Sequence, residues 1–279
     1  MSTSPRLPAV VLICHQQDLL DSQGLASWLA STMRLAGIIE IQDHTAHKWR
    51  AARREIKRSG LLGFIDVLAF RAYARLRLAH QDAAWADAEL TRLRDRYPVS
   101  LSKIPKRVVR DPNCEAARSF IKRLAPDLII ARCKFILKPD VFNLARAGTF
   151  ALHPGVCPEY RNAHGCFWAL ANRDLDRVGM TLLRIDRGVD TGPVLLHATC
   201  SFDEVRESHN VIQRRVVFEN LEPIGQALLA TASGHAPVPV DTAGRTSAAW
   251  GQPRLTRYLR WKRAARRDQR RLQRLPAVS

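Results

Sequence analysis

The sequence predicts an α/β fold, an open and mostly parallel sheet with helices on its faces. Short apolar runs of strand length recur along the chain, and segments with helical periodicity lie between them. Residues able to do chemistry fall just past the ends of those runs, where open α/β sheets bind their ligands.

Residues 8–14 (PAVVLIC) form a continuous apolar run, as expected of a strand buried on both faces. Residues 24–35 read as a helix and 37–42 (GIIEIQ) as a second strand. Residues 45–95 are rich in Ala, Arg and Leu, with one interruption at Ser59-Gly60, and predict two or more helices. Within them 61–78 is apolar but holds Asp66, Arg71, Arg75 and Arg77, so it reads as no transmembrane span. It reads as an amphipathic helix against a core, with a membrane-surface role as the second reading. A helix near 114–124 precedes a short buried strand at 127–131 (DLIIA), and 148–153 (GTFALH) is a strand ending at His153. Two more strands, 179–186 and 193–200, are joined by the loop RGVDTG, and a helix spans 207–232. Residues 234–252 are rich in Pro, Thr, Gly and Ser and read as a linker.

The 279 residues suit one large domain, or one domain with a small appendage. At 46% hydrophobic and 25% charged, the chain reads as globular, not disordered. We divide it into a main domain at 1–234 with a helical insertion at 45–105, a linker at 235–253 and a basic tail at 254–279. The formal net charge of +18 points to an anionic partner. Residues 254–275 carry ten Arg/Lys and one Asp, net +9, which is half of that charge. The tail reads as a solvated basic helix or disordered segment; contact with nucleic acid or an anionic membrane is the sharper alternative. The six cysteines match no zinc pattern, so no metal site is expected, and they suit reduced thiols in a cytoplasmic protein. No signal-peptide pattern is seen at the start.

His153 lies between a strand and Pro154, which ends the strand and leaves the imidazole at the sheet edge. An imidazole suits proton transfer near neutrality, although a histidine held by a backbone carbonyl is an equally simple reading. Asp190 sits in DRGVDTGPV between Gly188 and Gly192, as a turn residue or as a carboxylate that orients a nearby imidazole.

The stretch LHPGVCPEYRNAHGCFWAL, followed by VGMTLLRIDRGVDTGPVLL, resembles the 10-formyltetrahydrofolate-dependent formyltransferases. That family includes glycinamide ribonucleotide, methionyl-tRNA and sugar-amine formyltransferases. The matching residues are His153, Pro154, Gly155, Pro158, Tyr160 and Arg161, then Asp186, Gly188, Asp190 and Gly192. The resemblance runs from about 113 to 232. It implies a Rossmann-like sheet of the formyltransferase type, with 10-formyltetrahydrofolate as formyl donor and an amine that attacks the formyl carbon. By the motif, His153 stabilises the oxyanion and moves protons, and Asp190 orients it. Cys133, Lys134, Phe135, Ile136 and Leu137 would line the pterin pocket, with Val189, Asp190 and Thr191 opposite. Arg132 and Lys134 are candidates for the glutamate tail of the folate, and Tyr160 and Arg161 for the acceptor. His164 is an acceptor-side or second catalytic residue.

One position departs from the family. Its Asn falls on Ala151, which has no amide to hold the formyl oxygen. Loss of one such donor typically costs about 10²–10³ in rate. Three readings stay open: a slow enzyme, a substitute donor at Asn162 or His164, or a domain that binds without catalysing. The expected function is formyl transfer to a primary amine on a small anionic acceptor, such as a phosphorylated or nucleotide-linked amino sugar. A tRNA acceptor ranks lower, because few residues follow Gly234. The alternatives are a formyl-folate hydrolase and a non-catalytic folate- or nucleic-acid-binding relative. The acceptor, the oligomeric state and the roles of the insertion and tail stay open.

Overall fold

A computed structural model describes residues 6–42 and 46–273. β1, Ala9–His15, is buried along its length except at His15. A π-helical turn, Leu20–Leu25, leads into α1, Ala26–Thr32, and β2 is Arg34–Ile41. The helix ends and the strand begins earlier than the sequence suggests. Met33 is already extended (φ −139°, ψ 178°), and Arg34 pairs with Ala9 in β1. Between β2 and the next strand lie α2 (Ala46–Tyr73), a π-helical turn (Ala74–Leu78) and α3 (Ala79–Arg96). Gly60, at φ 70°, kinks α2 where the Ser59-Gly60 interruption was read.

β3, Lys106–Val109, was not anticipated, because it is a four-residue edge strand with only Val109 buried. The chain continues through α4 (Glu115–Leu124), β4 (Leu128–Arg132), a short α5 (Pro139–Phe142) and β5 (Gly148–His153). Then come α6 (Gly165–Ala171), β6 (Gly179–Arg184) and β7 (Val194–Thr199). α7 (His209–Phe218) and α8 (Leu221–Ala232) replace the single helix expected there, and α9 is Leu255–Gln273.

The sheet runs in the order β3-β2-β1-β4-β5-β6-β7. The first five strands are parallel; β6 pairs antiparallel with β5, and β7 with β6. Connections leave β1 in both directions, so the strand order switches between β1 and β4, beside the carboxyl ends.

Strand alternation divides the core. Val10, Leu12, Ile130, Phe150 and Leu152 meet α1, α6, α7 and α8 on one face, and Val11, Ile13, Ile129 and Ala131 meet α4 and α5 on the other. By the same alternation Ala151 and His153 share a face. Ala151 packs there against Cys157, Leu183 and Val194.

The stretch read as a linker is not a free connection. Trp250 stacks on Trp168 (4.9 Å) and on Tyr160 (5.8 Å), and Arg245 holds both oxygens of Glu159. α9 is also attached to the body, with Tyr258, Trp261, Lys262 and Ala265 buried. Trp261 Nε1 donates to Glu204 at 2.8 Å, and Lys262 donates to the Glu204 carbonyl at 2.7 Å.

Candidate active site

His153 ends β5 with its ring buried. Its Nε2 lies 2.9 Å from the carbonyl oxygen of Tyr160. A carbonyl only accepts, so Nε2 carries a proton and the variable site is Nδ1. Nδ1 faces Oδ2 of Asp190 at 3.5 Å, longer than a good hydrogen bond. Glycines permit this arrangement. A Cβ on Gly155 would stand 2.5 Å from the Tyr160 oxygen and 2.7 Å from His153 Nε2, and one on Gly165 would stand 2.5 Å from the same oxygen. Any side chain at either position would push the carbonyl off the ring.

Burial alone would disfavour a charged His153. The Asp190 carboxylate, the Cys157 sulfur and the Tyr160 carbonyl outweigh it and lift the ring to about 9. The imidazolium therefore predominates near neutrality. It can donate from Nδ1 to a developing oxyanion while Asp190 balances its charge.

Asp190 takes the left-handed region (φ 52°), between strands β6 and β7. Its Oδ2 accepts from the backbone N–H of Asn162 at 2.8 Å, and Arg161 donates to the Val189 carbonyl at 3.1 Å. The two expected site loops thus hold each other. Asp186 closes its own loop, accepting from Gly188 N and from the hydroxyl of Thr191 at 2.8 Å. The Thr191 hydroxyl is therefore spent within the loop, while Val189 exposes its side chain.

Asn162, a candidate substitute donor, sits at φ 79° with its amide bonded within the protein. Nδ2 donates to the Trp250 carbonyl at 2.6 Å, and Oδ1 accepts from Ala163 N at 2.9 Å. This side chain ties the loop to the 245–254 strap. Tyr160 is likewise turned inward. It is buried, stacked on Trp250, and its hydroxyl donates to Asp174 at 2.9 Å. Its contribution to the site is the carbonyl that holds His153.

His164 stands just before α6. Its Nδ1 is buried without a hydrogen-bond partner. Burial, reinforced by the Lys134 ammonium and the Arg71 guanidinium, pushes the ring down to about 3, against a weaker opposing pull from Gln252. A neutral histidine near two cations leaves this corner electropositive. Lys134 belongs to the loop after β4, Arg71 to α2 and Gln252 to the strap, and Arg71 lies 3.4 Å from the Gln252 side-chain oxygen.

The loop 133–137 follows β4, the strand paired with β5. Lys134 N donates to His15 Nε2 at 3.2 Å, and Cys133 Sγ contacts the Phe135 carbonyl at 3.8 Å. Asn113 clamps the loop through the Ile136 carbonyl and Lys138 N. Ile136 is exposed and Leu137 is buried in the core. Arg132 is not available to a ligand tail: it pairs with buried Asp21 at 3.1 Å and donates to the Leu152 carbonyl at 2.7 Å.

Sequence reasoning missed Trp250, Gln252, Arg71 and Asn113. A lone tryptophan in a Ser/Ala/Gly stretch was the one available signal for the strap.

Against known proteins, the formyl transferase family model matches residues 81–228, just over half of the chain. A methionyl-tRNA formyltransferase of Chlorobium luteolum is 32% identical over 160 residues, covering 56% of this chain and 48% of that protein. The chain thus spans about half the length of the curated relatives it matches. Two solved structures share the fold at a TM-score of 0.50. A phosphoribosylglycinamide formyltransferase from Anaplasma phagocytophilum is 14% identical, covering 89% of this chain and 100% of that one. A 4-N formyltransferase from Francisella tularensis is 10% identical, covering 92% and 87%.

Proposed function

The chain belongs to the formyl transferase family, and from that premise we propose that it moves a formyl group from 10-formyltetrahydrofolate to a primary amine on a small anionic acceptor. The observation that carries this reading is the His153–Asp190 pair, locked at the carboxyl edge by the Tyr160 carbonyl and the Asn162 N–H.

The residues present fit a flat, partly apolar donor. Ile136 and Val189 expose apolar side chains on the two loops, and partly open Ala151 leaves room beside His153. The folate supplies the formyl group; the loops 133–137 and 186–192 would hold it. His153, with its proton on Nδ1, would serve as the donor to the formyl oxygen. Asp190 keeps the ring charged and oriented, and Arg161, braced by the Val189 carbonyl, stands at the acceptor side. The neutral His164 with Lys134 and Arg71 forms an electropositive corner suited to a phosphate, which favours a phosphorylated or nucleotide-linked amino sugar. We include a cytoplasmic location in this reading, which suits six cysteines that are all free. The catalytic unit would be 1–234 with its insertion at 45–105, completed by the strap.

The test is product analysis with 10-formyltetrahydrofolate and a panel of phosphorylated amines, sugar-nucleotide amines and methionyl-tRNA. Formamide product with one acceptor, lost in His153→Ala, supports transfer. Formate release that ignores every acceptor indicates hydrolysis instead.

A further inference from the structure

α2 is apolar on two faces. Toward the core it buries Val67 and Phe70. Beyond the Gly60 kink, the outer face of α2 and of the π-helical turn that continues it carries Leu61, Ile65, Leu68, Ala72 and Leu76, spaced four, three, four and four residues apart. That spacing makes one stripe along a helix. The stripe is in solvent: Leu61 is 66% exposed, Ile65 53%, Leu68 45% and Leu76 80%, with Leu62 beside it at 84%. A helix that is apolar all round is ordinarily buried, so this face lacks a cover.

Its surroundings are basic. Lys57, Arg58, Arg75 and Arg77 of the same helical segment are exposed. α9 lies alongside, with Tyr258 against Phe70 (5.4 Å) and Tyr73 (5.5 Å), and with the Thr256 N–H donating to Asp66 at 3.0 Å. Both helices bury their inner faces, so their outer faces stand side by side. α9 exposes Arg260, Arg263, Arg266, Arg267, Arg270 and Arg271 outward. Its one acidic residue, Asp268, is bonded by Arg173 at 2.8 Å.

We propose that the outer faces of α2 and α9 form a docking surface for an anionic phospholipid bilayer, with the Leu/Ile stripe inserted at the headgroup boundary and the arginines on the phosphates. Among the described residues no helix is long and apolar enough to cross a membrane. The stripe decides against nucleic acid, whose backbone offers phosphates but no apolar layer. The charge decides against a second copy, since pairing two such faces would bring together two chains of formal charge +18. This surface is independent of the proposed reaction and is tested without it.

The experiment is vesicle flotation of the full-length chain, at low and moderate salt. Vesicles of phosphatidylcholine alone are compared with vesicles containing about one third phosphatidylglycerol. Binding to the anionic vesicles only, weakened by salt, is expected. Leu61→Gln/Ile65→Gln/Leu68→Gln should weaken it about tenfold or more. Arg263→Gln/Arg267→Gln/Arg270→Gln should weaken it on the order of 100-fold at low salt and flatten the salt dependence. All the substituted side chains are exposed, and circular dichroism checks that both variants fold. No flotation of the wild type with anionic vesicles at low salt overturns the proposal. So does undiminished flotation of the apolar triple variant, which would mark a general polyanion surface that nucleic acid would compete for. Dimerisation in light scattering that the apolar triple variant abolishes, without vesicle binding, would assign the face to a second copy.

Discussion

At the scale of single residues, the candidate site is an exercise in fixing one proton. The Tyr160 carbonyl takes Nε2–H of His153, so only Nδ1 can change state, and Asp190 faces it. If this pair runs the reaction, His153→Ala and Asp190→Asn each lower kcat by about 10²–10⁴ with the fold retained. Activity near wild type in either, with the acceptor known, removes the mechanism. The same pair sets a pH signature. The ring's ordinary value is 6.5 and its folded value about 9. The folded state therefore keeps this proton to higher pH than the unfolded chain does. Its stabilisation is complete below pH 6.5 and is lost as pH rises through 9. Asp190→Asn should flatten the fall in thermal midpoint between those limits; identical slopes in wild type and variant would refute the assignment. Ala151 poses the complementary question. Asn162 uses one N–H of its amide on the Trp250 carbonyl, and no amide stands at position 151. Ala151→Asn, on the face of His153, is therefore expected to raise kcat, by up to about 10²-fold. A rate that stays level would point to Asn162 or His164 as the replacement donor.

At the scale of elements, what was legible in the sequence was what is local. β1, β4 and β5 were readable because apolar runs and Pro/Gly breaks lie within a few residues of one another. His153 and Asp190 could be named for the same reason, each marked by a proline or glycines at a strand end. β3 escaped because an edge strand buries almost nothing, and α6 because its breaker-rich approach, HPGVCPEYRNAH, masks the helix that follows. The strap at 245–254 was illegible because its partners are distant: Trp250 lies 82 positions from Trp168 and 90 from Tyr160 in the sequence. The pattern of bonds makes it a positioning element. Trp250 donates from Nε1 to the Glu159 carbonyl at 2.8 Å, and its own carbonyl holds Asn162, whose N–H holds Asp190. Trp250→Ala should lose two stacking contacts, about 1–3 kcal/mol in all, and should lower kcat although no atom of Trp250 reaches Nδ1 of His153. Trp250→Phe, which keeps a stacking ring without the N–H, should recover most of the stability. An unchanged kcat in Trp250→Ala would make the strap structural only.

At the scale of the whole molecule, the chain closes on itself from its carboxyl end. The basic tail is half of the net charge, and solvent exposure is the default for such a block. Its docking follows from four residues of one helical stripe, Tyr258, Trp261, Lys262 and Ala265, which all face the body. Trp261 is fully buried against the core that also holds Phe70 and Phe167, and its indole N–H is satisfied by Glu204. Glu204 in turn takes Arg173, which reaches Asp268 in α9, so the contact is polar as well as apolar. A segment tied in this way unfolds with the domain and not before it. Trp261→Ala should therefore cost about 3–5 kcal/mol, the usual range for deleting a buried tryptophan. The loss should appear as a lower midpoint of one cooperative transition, followed by both far-UV circular dichroism and tryptophan emission. Two separated transitions, or a midpoint that does not move, would show α9 to be an appendage whose arginines are presented by a free helix and not by the fold.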